Sequence, residues 1–144
     1  MNVFQLNYEA RLSGWHALRA TLEGTLTQNK AIEIDAWWQQ APLVNHHLHT
    51  LDSDKWPGPW DLLEENTYCT VARALGMCYT LLLVGITDVE LVEASDSTSE
   101  EVVLVLVDHA KYILNYWPDT AISNTLQDFT IKRTIDISHL TTKI

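Results

Sequence analysis

The sequence predicts an α+β domain, in which an N-terminal helical hairpin and a central, cysteine-headed helix pack on a four-stranded antiparallel sheet. Three observations carry this. Apolar residues recur at helical spacing through residues 9–40, fill nearly every face from 68 to 84, and alternate or run in short aliphatic blocks from 89 to 138. The apolar period therefore switches from about 3.6 to 2 after Gly85. With 144 residues and 47% apolar content, the chain has the material for one core, and no repeat or linker divides it.

The hairpin occupies residues 1–42. Tyr8, Leu12, Trp15, Leu22 and Leu26 share a face of a helix running from about Glu9 to Leu26. A second helix from about Asn29 to Gln40 turns Ile34, Trp37 or Trp38, and Ala41 inward, and Pro42 stops it. The short polar link Thr27-Gln28-Asn29 makes the two helices antiparallel neighbours.

Residues 43–66 read as irregular. They hold His46, His47 and His49, the acidic Asp52 and Asp54, and then Trp56-Pro57-Gly58-Pro59-Trp60. Two prolines about a glycine favour a stiff turn, and Asp61 can cap a helical turn through Glu64.

The central helix spans Tyr68 to about Val84 within the segment 67–85, capped by Asn66 or Thr67 and ended by Gly85. Val71, Ala72, Leu75, Met77, Cys78, Tyr79 and Leu81 to Leu83 make it apolar nearly all round, so it belongs at the centre.

The sheet takes residues 88–138. Val89 to Glu93 alternates, and Val102 to Val107 is an unbroken aliphatic run expected of a strand covered on both faces. Asp108 to Lys111 forms a turn, Tyr112 to Trp117 a third strand stopped by Pro118. Thr130 to Ser138 alternates again, with Ile131, Ile135 and Ile137 on one face.

Charge excludes some functions. The net charge is −10, and the nine basic residues include one adjacent pair, Lys132-Arg133. Nucleic acid and anionic membrane surfaces both need clustered cations, so neither is an expected partner. Cys69 and Cys78 stand roughly 13 Å apart along one helix, beyond disulfide reach. With no basic, apolar leader at the start, the expectation is a reduced, cytoplasmic compartment. No cofactor motif occurs, and neither a Gly-rich phosphate loop nor a Gly-Xaa-Ser-Xaa-Gly elbow is present.

Three groups are candidate sites. Cys69 falls in the first turn of the central helix, where the macrodipole favours a thiolate; the bland alternative is a small apolar residue in the core. His47 and His49 alternate on an extended segment and could converge on a metal with Asp52 or Asp54, against the alternative of a solvated loop. Six tryptophans are many for this length. Trp37 and Trp38 diverge by about 100° on a helix, so one of them faces a second surface. Trp56 and Trp60 frame the stiff turn, and these four are the candidate interaction residues.

The stretch Tyr68-Cys69-Thr70-Val71-Ala72-Arg73-Ala74-Leu75-Gly76-Met77, followed by the hairpin Val105-Leu106-Val107-Asp108-His109-Ala110-Lys111-Tyr112, resembles the core of the transglutaminase-like, papain-related fold. The resemblance implies Cys69 as the nucleophile, a histidine at the entry to the second strand and an aspartate late in the third. This chain has Glu100, Glu101 and Val102 at the first place, and Asn115 and Tyr116 at the second. The implied fold is therefore catalytically degenerate. The short, tryptophan-rich chain also resembles small proteins of tailed bacteriophages. The leading expectation is a non-catalytic structural or assembly protein, a virion component of the head-tail or tail region, binding other protein subunits or itself. The alternatives are a cysteine-dependent hydrolase or acyltransferase using Cys69, and a small acidic regulatory or inhibitory binding protein.

Overall fold

The computed structural model describes residues 2–44, 48 and 52–144. Among the described residues, four α-helices and one four-stranded antiparallel sheet make the α+β arrangement the apolar periods predict, with the second and fourth helices lying on the sheet and the first and third packed on the other helices. Helix α1 is Tyr8–Leu22, with the Asn7 side chain accepting from the Ala10 N–H as its cap. Helix α2 is Thr27–Gln39. Helix α3, Pro59–Glu65, is longer than the single turn expected. Pro59 occupies its first position, where a fixed φ suits the helix and a missing N–H costs nothing.

Helix α4, Thr70–Leu83, is the central helix, and Gly85 after it takes φ +90°. Its start corrects the sequence reading: the cap is Cys69 itself, extended at φ −115°, and neither Asn66 nor Thr67. Asn66 instead sits in the left-handed region as the end of α3 and donates its side-chain amide to the Phe4 carbonyl.

The strands are β1 (Val89–Ser95), β2 (Glu101–Val107), β3 (Tyr112–Leu114) and β4 (Thr130–Ile135), in the order β3-β2-β1-β4. β3 is shorter than expected because Asn115 adopts φ +73°, which breaks the ladder before Pro118 is reached. The aliphatic run in β2 is central, as predicted: Val105 and Val107 face the helices, while Leu104 and Leu106 join Val92, Ala94, Ile113 and Phe129 on the opposite face.

The tryptophans mostly serve the core. Trp15 and Trp38 are fully buried, and both indole N–H groups donate to Thr80 Oγ1 at 2.9 Å from opposite helices. Thr80 in turn donates to the Gly76 carbonyl. A Cβ on Gly76 would stand 2.6 Å from the Trp38 ring, so only glycine allows this approach. Trp56 is buried against His139, and Trp37 is half-buried against Phe4. Trp60 alone of the four interaction candidates is open, at 44% exposure, and its inner edge meets Trp15. Burial assigns Trp38 and Trp56 to packing rather than to a docking surface.

Arg11 is buried and aims its guanidinium at the carbonyls of Leu6, Leu63 and Glu64, so a cation neutralises the negative end of α3.

Candidate active site

Four elements meet at the start of α4. Cys69 is 7% exposed and makes no capping bond to the first turn. Its Sγ instead accepts the Leu48 N–H at 3.4 Å. Residues 43 and 44 bring that segment in: Leu43 pairs in parallel with Tyr68, and the Val44 N–H donates to the Tyr68 carbonyl at 2.9 Å. The sulfur thus receives an N–H from one side and lies at the start of a 14-residue helix on the other.

Asn115 fastens the opposite wall. Its side-chain amide donates to the Thr70 carbonyl at 3.0 Å and to the Val103 carbonyl at 2.9 Å, joining the end of β3 to the starts of α4 and β2. Its backbone N–H donates to Asp35 Oδ1 on α2 at 2.9 Å. Asp35 also accepts from Gln39, and burial pushes its carboxyl up while the two hydrogen bonds pull it down.

Beside this junction runs a groove of about 340 Å³, lined by Thr70, Asn115, Glu93, Glu101, Val103 and Lys132 among others. Lys132 reaches it through a bulge. Glu93 pairs with Arg133 and Ala94 with Ile131, so Lys132 is the extra residue of β4. Its Nζ lies 2.8 Å from Glu101 Oε1, and Arg133 Nη2 lies 2.7 Å from Glu93 Oε1.

The positions that the resemblance singled out, Cys69, the entry to β2 and Asn115, are therefore brought together. The imidazole is not among them. His109 sits in the β2–β3 turn at the far end of the strand, 91% exposed, with Nδ1 3.3 Å from Asp88 Oδ2. A seven-residue strand puts it roughly 20 Å away. The metal candidates His47 and His49 lie outside the described residues, as does His46. Sequence reasoning missed Asp35, whose single sign was an acid on the inward face of a helix, three residues before Trp38.

No family model matches this chain, and no curated protein matches it. Solved structures do. Legionella pneumophila LapG superposes with a TM-score of 0.71 at 13% identity, covering 91% of this chain and 77% of that one. Its calcium-bound form gives 0.74 at 12% identity over 92% and 77%, and its EGTA-treated form 0.70 at 13% over 90% and 74%. The fold is transglutaminase-like. The expectation of a bacteriophage assembly protein is overturned at this point, because these structures belong to a cysteine protease and not to a virion component.

Proposed function

We propose that this chain is a thiol-dependent enzyme of the acyl-transfer class, a hydrolase or acyltransferase, with Cys69 as its nucleophile. The observation that carries the reading is the position of Cys69: the cap of the central helix of a transglutaminase-like fold, with a backbone N–H on its sulfur. LapG, which shares the fold, is a cysteine protease. In the reaction, the Cys69 thiol gives its proton to water and the sulfur adds to an acyl carbon. The C–N or C–O bond breaks with a proton from water passing to the leaving amine or alcohol, and a thioester forms. Water or an amine then releases the acyl group and restores the thiol. The groove beginning at Thr70, the next residue, is the place for the acyl donor's chain.

Among the described residues no imidazole stands beside Cys69. In the sequence, His47 and His49 flank Leu48, whose N–H meets the sulfur, and replacing each by alanine measures whether either activates the thiol.

Iodoacetamide labelling at pH 7 tests the reading. Cys69 is expected to react faster than free cysteine, with Cys78 unmodified and Cys69→Ser inert. Labelling of Cys69 more slowly than free cysteine would overturn the proposal and leave the acidic binding protein as the reading to pursue.

A further inference from the structure

Three polar or charged side chains are buried among the described residues: Arg11, Thr80 and Asp35. The first satisfies the end of α3, and the second satisfies two indoles. Asp35 has no such packing duty. It is 2% exposed, and a carboxylate held there is costly wherever its hydrogen bonds do not compensate.

Its hydrogen bonds lead to the thiol. Oδ1 accepts the Asn115 N–H across the α2–β3 contact, which holds Asn115 in the left-handed region at φ +73°. In that conformation Asn115 spends both side-chain hydrogens, one on the carbonyl of Thr70, adjacent to Cys69, and one on that of Val103. The amide is thereby oriented, and its Oδ1 is left without a donor among the described residues on a side chain that lines the groove. Gln39 Nε2 meets the same carboxylate oxygen but belongs to α2 itself and reaches nothing at the site.

We infer that Asp35 is a positioning residue of the Cys69 site: through Asn115 it fixes the start of α4 against β2. This rests on the reading of Cys69 as the working thiol, but the lock itself can be measured without any chemistry at sulfur.

The experiment is amide NMR on the full chain, comparing Asp35→Leu, Asp35→Asn and Gln39→Met with the parent. Asp35→Leu removes the acceptor. It is expected to speed hydrogen exchange of the Asn115 backbone and side-chain amides at least tenfold, and to move the Cys69 and Thr70 resonances while those of Ile86 and Val107 stay in place. Asp35→Asn keeps an acceptor and is expected to hold Asn115 within about threefold of the parent. Gln39→Met removes a bond from the same carboxylate and is expected to leave all four resonances unchanged. A purely structural role would make Gln39→Met and Asp35→Leu alike, which overturns the inference. So does an Asp35→Leu protein in which Asn115 is released but Cys69 and Thr70 do not move. Should Asp35→Leu not fold, the scalar coupling across the hydrogen bond from the Asn115 nitrogen to the Asp35 carboxyl carbon is read in the parent, and its absence has the same force. An iodoacetamide-inert Cys69 in a protein that passes these tests refutes the enzyme reading alone.

Discussion

Cys69 caps the helix that carries Cys78; both are buried, but what surrounds each sulfur differs. Cys78 is sealed in the third turn of α4, where burial pushes it up to about 12. Around it the helix is clamped: Thr80 receives two indoles, and Gly76 lies flat against the Trp38 ring. Cys69 caps the same helix at the end where backbone donors lack intrahelical partners, with an N–H on its sulfur and a groove beginning one residue later. The reactivity proposed for Cys69 therefore rests on its place along the helix. The interior turns are fixed by satisfied polar groups and close packing, whereas the first turn is held by Asn115 and Asp35 and faces a groove.

The sharpest way to break this contrast is at Thr80. Thr80→Val keeps the shape but strands two buried indole N–H groups, at about 1–3 kcal/mol each, so a loss of about 2–6 kcal/mol is expected in urea unfolding. Thr80→Ser retains the hydroxyl and should cost about 1 kcal/mol for the lost methyl. Neither should slow Cys69 labelling in the folded protein; a parallel loss of Cys69 reactivity would mean that the two ends of α4 are not independent.

Alkaline titration tests the sealed end. The Cys78 thiol ionises at 9.0 unperturbed and near 12 when folded. Between those values the unfolded chain gives up a proton that the folded chain retains, so stability falls as pH rises through this window. The full effect is on the order of 4 kcal/mol. Tyr68 and Tyr79, also raised by burial, act in the same direction. Cys78→Ala should flatten the decline by the thiol's share, and an unchanged slope would show that Cys78 is not sealed.

Gly76→Ala comes next. Its methyl would meet the Trp38 ring at 2.6 Å, and overpacking of this kind costs about 1–3 kcal/mol in thermal or urea unfolding. A neutral effect would show that Trp38 can shift, and that the clamp around Cys78 is looser than its contacts imply.

The two halves of this contrast were unequally legible in the sequence. Apolar residues on every face of α4 announced its burial, and the unbroken run Val102 to Val107 announced a strand covered twice, because burial of continuous apolar surface leaves a local signature. The bulge that aims Lys132 and the left-handed turn at Asn115 left none, since each depends on a partner strand or helix distant in sequence. The separation of Asp35 from Asn115 is 80 residues, and no spacing rule connects them. Of the adjacent pair Trp37 and Trp38, both rings meet Phe4, and which one was fully buried depended on Gly76, far along the chain. The resemblance placed Cys69, the β2 entry and Asn115 together, and that juxtaposition came from topology, not from any local pattern.

The smallest effect is expected at Lys132, and it is the one that separates the groove from the core most cleanly. Its ion pair with Glu101 joins side chains 46% and 82% exposed, and such a pair contributes about 0–1 kcal/mol in water. Lys132→Met should therefore leave the unfolding midpoint nearly unchanged, and the same change in 1 M salt should have no effect at all, since screening already removes the attraction. Yet the bulge holds Lys132 in the groove at the expense of one ladder position of β4, a distortion that stability alone does not require. A stability-neutral Lys132→Met that changes the rate at which a charged alkylating agent such as iodoacetate reaches Cys69, relative to neutral iodoacetamide, would place the groove and the thiol in one site. Equal ratios in the two proteins would make the groove a surface feature and confine the chemistry to Cys69 and its immediate neighbours.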